Sequence, residues 1–247
     1  MTREMTEALW WGFFASSSLV LGGALALRFS IPSRVLGLVM AFGAGVLISS
    51  VSYELVEEAF NTSTGGVGVG LGLATGAGVF YVGDTLLDRF GASGRKSSAG
   101  KLAGGSALAI VLGIILDGIP ESAVLGLTVL EAGTVSVAFL AAVLLSNLPE
   151  AIAATSGLVA SGWRGIHILG LWTLVAVVCG LASLAGYALL DGADPSTVAF
   201  VLAFAGGAIL TMLADTMMPE AFEHGGKLVG LFTTAGFAVA FALSALQ

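Results

Sequence analysis

Apolar positions run along this chain in long blocks, not in the alternating stripes of a soluble fold. Eight blocks stand out, near Ala8–Leu27, Val35–Phe60, Gly66–Leu87, Leu102–Leu130, Thr134–Ala160, Ile166–Leu190, Thr197–Phe222 and Leu228–Leu246. Each is long enough to cross roughly 30 Å of hydrocarbon as a helix. Lipid offers no partner to an unpaired backbone group, so every block is predicted to be helical. The longest polar connection, residues 88–101, contains the run from Ser93 to Ser98 and reads as a short flexible loop. Arg3 before the first block has the look of a signal peptide. Glu4 and Glu7 spoil that basic flank, and the block is long for a cleaved segment, so it is read as a true span.

Composition agrees with this pattern. Hydrophobic residues make up 57% of the 247 and charged residues only 10%, with a mean hydropathy of +1.01. A soluble domain needs far more charge to cover its surface. The nine basic residues are scattered between apolar blocks, which leaves no nucleic-acid footprint. A single cysteine, Cys179, rules out an intrachain disulfide framework.

The basic residues then set an orientation. Arg28 and Arg34 follow the first block; Arg89, Arg95, Lys96 and Lys101 follow the third; Arg164 follows the fifth and Lys227 the seventh. With eight spans these all fall on one side, and Arg3 alone falls on the other, which carries Glu131, Asp191 and Asp194. The positive-inside rule makes the first side cytoplasmic. The expectation is a multi-pass protein of the cell membrane, with both termini extracytoplasmic and the 88–101 loop inside.

Internal similarity adds an architecture. Ala41-Phe42-Gly43-Ala44-Gly45, ending in Glu58-Ala59-Phe60, matches Ala203-Phe204-Ala205-Gly206-Gly207, ending in Glu220-Ala221-Phe222 at the same spacing. The two blocks run in opposite directions, so blocks one to three and six to eight form an inverted repeat. Blocks four and five form a second antiparallel pair, Leu116-Asp117-Gly118-Ile119-Pro120-Glu121 against Leu145-Ser146-Asn147-Leu148-Pro149-Glu150. The predicted fold is an all-α integral membrane protein of eight transmembrane helices in a 3+2+3 arrangement.

Candidate chemistry lies in that central pair. Asp117 and Glu121 are four residues apart and share a helix face, as do Ser146 and Glu150 with Asn147 beside them. An ionised carboxylate facing lipid at mid-span costs at least ~2.5–3.5 kcal/mol, so Asp117, Glu121 and Glu150 should face the bundle interior. Three acids converging there repel one another unless a cation or proton joins them. Pro120 and Pro149 free the carbonyls of Leu116 and Leu145 from the helix ladder, adding backbone oxygens near the acids.

The paired Pro-Glu helices, together with Glu54-Leu55-Val56-Glu57-Glu58-Ala59 and Met218-Pro219-Glu220-Ala221, resemble the ZIP (Zrt/Irt-like) family of divalent-metal transporters over nearly the whole chain. That resemblance implies a transporter, not an enzyme, moving zinc, iron or manganese towards the cytoplasm by alternating access. It implies no organic cofactor and a likeness to homodimers in the bilayer. Carried over position by position, the metal site would use Asp117, Glu121, Ser146, Asn147 and Glu150. Glu54 would stand at the place of a second-helix histidine. The family usually reads His-Asn, part of a binuclear site, where this chain has Asp117-Gly118; that departure makes the first shell mostly oxygen and leaves open whether the site holds one ion or two. Cys179 falls near a position where some relatives carry another metal-binding Glu.

Alternatives from other classes stay open. A non-transporting metal sensor or scaffold fits the loss of side chain at Gly118 and the serine at Ser146. An intramembrane carboxylate protease lacks a supporting motif, and a carrier of organic anions lacks basic partners. Among lesser candidates, Cys179 reads as packing before ligand, and His167 and His224 as interfacial. Glu220, Glu223 and His224 together read as an exit site or as a solvated helix end. Asp84 and Asp215 are candidates to line an access route. Gly68, Gly72 and Gly76 form a stripe for close helix packing.

Overall fold

A computed structural model describes residues 2–63, 66–89 and 107–245. Arg95, Lys96 and Lys101 in the 88–101 connection, and residues 102–106 of the fourth apolar block, lie outside the described residues.

The described chain is all helix. Ten α-helical segments follow one another: α1 (Arg3–Arg28), α2 (Ser33–Ser50), α3 (Glu58–Thr62), α4 (Gly66–Leu87), α5 (Ala107–Ala132), α6 (Val137–Ala160), α7 (Gly165–Leu190), α8 (Pro195–Met212), α9 (Met218–Gly225) and α10 (Val229–Ser244). Seven stretches are long and apolar enough to cross a bilayer, as in a multi-pass membrane protein. The last of them, Pro195–Ser244, turns back on itself at Gly226, whose φ of 61° lies in the left-handed region that glycine adopts freely. The end of α9 sits beside Gly37 near the start of α2, while Ser244 at the end of α10 bonds Glu54, beyond the far end of α2.

Helix ends follow local chemistry. Thr2, Ser136 and Asp194 each accept a backbone N–H three residues on and start α1, α6 and α8. Hydrogen bonds from the Thr197 hydroxyl and backbone N–H hold the Asp194 carboxyl below the usual carboxylate range. The start of α6 at Val137 moves Thr134–Ser136 out of the predicted span and into a turn, because the Ser136 side chain caps Phe139.

Two features were not expected from the hydropathy blocks. Between α2 and α3 the chain runs as a π-helix over Val51–Glu57, and between α8 and α9 over Leu213–Met217. These segments begin at the same place in the two similar sequence stretches. Near each, a hydroxyl bonds the carbonyl four residues back: Ser52 to Ile48 O and Thr216 to Met212 O, both at 2.7 Å. A wide turn of this kind depends on tertiary context, and hydrophobic periodicity does not report it.

Packing rests on small residues. A Cβ added at Gly45 would collide with the Thr233 carbonyl of α10, and one at Gly207 with the Leu73 carbonyl of α4. In the same way Gly236 abuts the Phe42 carbonyl and Gly76 the Phe204 carbonyl. Within the predicted glycine stripe, Gly72 and Gly76 pack on α8, whereas Gly68 faces open space. Helices α1 and α7 run antiparallel, joined by Tyr187 to Glu4 (2.9 Å) and Ser183 to the Ala8 carbonyl (2.7 Å) at one end. Gly165 packs on Leu27 at the other. Outward faces carry large exposed apolar residues, among them Val67, Leu71 and Val82 on α4 and Leu174, Leu181 and Leu189 on α7.

Candidate metal-ion centre

Helices α5 and α6 occupy the middle of the bundle. Helix α6 packs against α1, α2 and α10, helix α5 against α7, α1 and α8, and the two touch each other. Both remain helical through their internal prolines, Pro120 and Pro149. Mid-helix residues on these two elements are therefore walled in on most sides.

Asp117, Glu121, Ser146, Asn147 and Glu150 are all buried, between 0% and 4% exposed. Each pair spaced four apart, Asp117 with Glu121 and Ser146 with Glu150, shares a face of its helix. Removing a carboxylate from water costs several kcal/mol unless a counter-charge, a proton or hydrogen bonds compensate it. Asp117, Glu121 and Glu150 each take part in polar or electrostatic interactions, and among the described residues they do not form a group whose ligand atoms lie within 4.8 Å of one another. The Ser146 hydroxyl bonds the Val143 carbonyl at 3.1 Å, which leaves its lone pairs available as a weak oxygen donor.

The Leu145 carbonyl, which Pro149 leaves without its helix partner, is less open than the sequence implies. An added Cβ at Gly43 of α2 would lie 3.1 Å from the Leu145 oxygen. The close approach of α2 therefore covers the carbonyl that Pro149 releases, and a glycine is what permits that approach.

Glu54 stands apart from the other five. It is half-buried, accepts a hydrogen bond from the Ser244 hydroxyl at 2.7 Å, and lines a cavity of about 830 Å³. The cavity walls also carry Glu57, Glu58, Asn61 and Glu131, and include none of the five central residues. Glu57 and Glu58 lie three and four residues after Glu54, a spacing that places acids along one helical face. The arrangement makes one mouth of the bundle strongly acidic.

Cys179 was read as packing, and it is packed. It is 1% exposed, in an apolar cluster with Leu19, Ile114, Val175 and Trp172. It also lies beside Ser16 of α1, Ser122 of α5 and the charge of Glu121. A Cβ at Gly118 would stand 3.1 Å from its sulfur. The missing side chain at Gly118 thus makes room for the thiol, a relation between α5 and α7 that no sequence spacing encodes. Nearby, Trp172 donates its indole N–H to the Thr155 hydroxyl at 2.8 Å, fastening α7 to α6.

The lesser candidates divide. His167 is exposed at the start of α7, Asp84 is half-buried, and Asp215 is exposed within the second π-helical segment. Glu220, Glu223 and His224 converge, with all three ligand atoms within 4.8 Å of one another. No known family profile matches this chain, and no curated protein is similar enough to it to count as a relative.

Proposed function

We propose that this protein is a divalent-metal transporter of eight membrane crossings, built as an inverted repeat around α5 and α6. The observation that carries the reading is the burial of Asp117, Glu121 and Glu150 beside the internal prolines of two central helices. A cation taken up between the two helices would offset this buried negative charge, and an oxygen-rich set suits manganese or iron as well as zinc.

The eight-crossing count is supported by the reversal at Gly226. Unbroken, the 50 residues of Pro195–Ser244 would extend about 75 Å, far beyond the ~30 Å of hydrocarbon. The inverted repeat is supported by the reciprocal glycine contacts and by the matched π-helical segments. Rocking of the two repeats against the central pair would open the site to either side. The apolar outer faces suit lipid and a second copy in a homodimer, and the basic helix ends suit the cytoplasm, with both termini outside.

Uptake of Mn²⁺ and Zn²⁺ into vesicles containing the purified protein tests the reading. Glu121→Gln and Glu150→Gln are each expected to reduce uptake to the level of empty vesicles while leaving a folded protein. Removing a buried negative charge also relieves repulsion, so the metal-free variants should unfold at higher temperature than wild type. Wild-type rates in both variants would refute the central site.

One observation favours a second reading, a metal sensor that does not transport. Gly118 offers no ligand, and the thiol of Cys179 fills the space beside it. Metal binding lost in both variants, with no uptake by wild type, would establish that reading instead.

A further inference from the structure

The geometry points to a second divalent-cation site at the end of α9, formed by Glu220, Glu223 and His224, exchangeable with water and separate from the central carboxylates. The three residues stand at i, i+3 and i+4 on one helix, so their side chains emerge on one face. His224 Nε2 lies 2.9 Å from Glu220 Oε1, and both side chains are about nine-tenths buried. Zinc and its neighbours bind imidazole nitrogen and carboxylate oxygen at about 2.0–2.2 Å. Two donor atoms 2.9 Å apart therefore fit adjacent positions around one ion. Glu223 is exposed and supplies a third donor on the side open to solvent. Three protein ligands with one open side describe a site that exchanges its ion.

The backbone that carries His224 is held against a second helix. Gly37 of α2 packs against this turn, where an added Cβ would come within 2.9 Å of His224 Cβ and 2.7 Å of the Gly225 nitrogen. The approach of two helices thus sets where the side chain of His224 starts, and the contact with Glu220 orients its ring.

The matching turn of α3 serves as an internal control. Glu58 takes the place of Glu220, Asn61 that of Glu223, and Thr62 that of His224. The same i to i+4 contact recurs, from the Thr62 hydroxyl to Glu58 Oε1 at 3.1 Å. That turn has one carboxylate and no imidazole, so it keeps the backbone and lacks the donors. The cation site belongs to one repeat, and so to one end of the bundle.

This inference does not depend on transport through the centre, and the test keeps the two apart. The sequence has two histidines, His167 and His224. The full-length protein, labelled with ¹⁵N-histidine in detergent, gives two sets of imidazole signals, assigned with His167→Gln. Zn²⁺ is added at one pH above the imidazole range, since only neutral His binds metal. The expected result is a large shift of the His224 Nε2 signal with little change at His167. Glu223→Gln, at an exposed position, should weaken the Zn²⁺ affinity read at His224 by roughly tenfold or more. A His224 signal indifferent to Zn²⁺ would mean that Glu220 and His224 form only an ion pair. A shift unaltered in Glu223→Gln would equally overturn the three-ligand site. Glu121→Gln should leave the His224 response in place whether or not the central site binds metal.

Discussion

Around Gly45 and around Gly207 the chain makes the same contact twice. In each, a glycine of one helix lies on a carbonyl of a parallel neighbour, Thr233 in one case and Leu73 in the other. The Phe42 and Phe204 carbonyls receive Gly236 and Gly76 in the same manner. Further along, the two regions part. The first ends in Glu54, Glu57, Glu58 and Asn61 around a wide acidic cavity, the second in a compact Glu220, Glu223 and His224 cluster. Backbone approach tolerates almost no variation, because a single Cβ meets main-chain atoms that cannot move aside. Polar side chains at helix ends have room to diverge. A repeated scaffold can therefore present different chemistry at its two ends.

The strongest way to break this comparison is to fill the contacts. Gly45→Val and Gly207→Val should each cost about 3 kcal/mol or more, from overpacking against backbone. Thermal unfolding in detergent would read both losses, and they should be alike. Gly70, which faces open space, is the contrast. Gly70→Ala should be neutral or stabilising by up to ~1 kcal/mol from helix propensity. A tolerated Gly45→Val would show that the α2–α10 contact is looser than its geometry.

Selectivity gives a smaller effect. Asp117→His adds nitrogen to the proposed oxygen-rich site, so zinc should gain over manganese by roughly tenfold, or about 1.4 kcal/mol. Competition binding of the two ions at one pH measures it. An unchanged ratio would place residue 117 outside the coordination shell. Gly118→Asn is not a simple way to add a further ligand, since its Cβ meets the Cys179 sulfur.

The smallest effect concerns a helix start. The folded state holds the Asp194 carboxyl below its ordinary value, so its capping contribution is present above the unfolded carboxylate pKa of about 3.9. That contribution is lost as pH falls through the lower folded value. Asp194→Ala should thus be slightly less stable than wild type near neutrality and indistinguishable from it in strong acid. Melting temperatures across that range provide the check, and a gap that widens in acid would contradict the sign.

Much of the helix framework was legible in the sequence, because lipid-length apolar blocks admit few alternatives. The Asp117–Glu121 and Ser146–Glu150 faces followed from helical spacing alone, and their burial from the cost of charge in hydrocarbon. The surroundings of Glu54 were not legible in the sequence. Its neighbours are set by the π-helical turn at Val51–Glu57 and by the end of α10, and neither leaves a mark on periodicity. The closeness of Cys179 to Gly118 depends on how α5 and α7 cross. That information resides in three-dimensional packing.

The burial of Cys179 also has a practical consequence. The only thiol in the chain is 1% exposed and enclosed by three helices. Water-soluble maleimides should leave the native protein essentially unmodified. The wild type then serves as its own blank, and any cysteine introduced at a helix end can be fluorescently tagged without first removing the natural one. The sidedness of each loop, and spectroscopic distances between the two bundle ends with and without added metal, become measurable in an otherwise unaltered molecule.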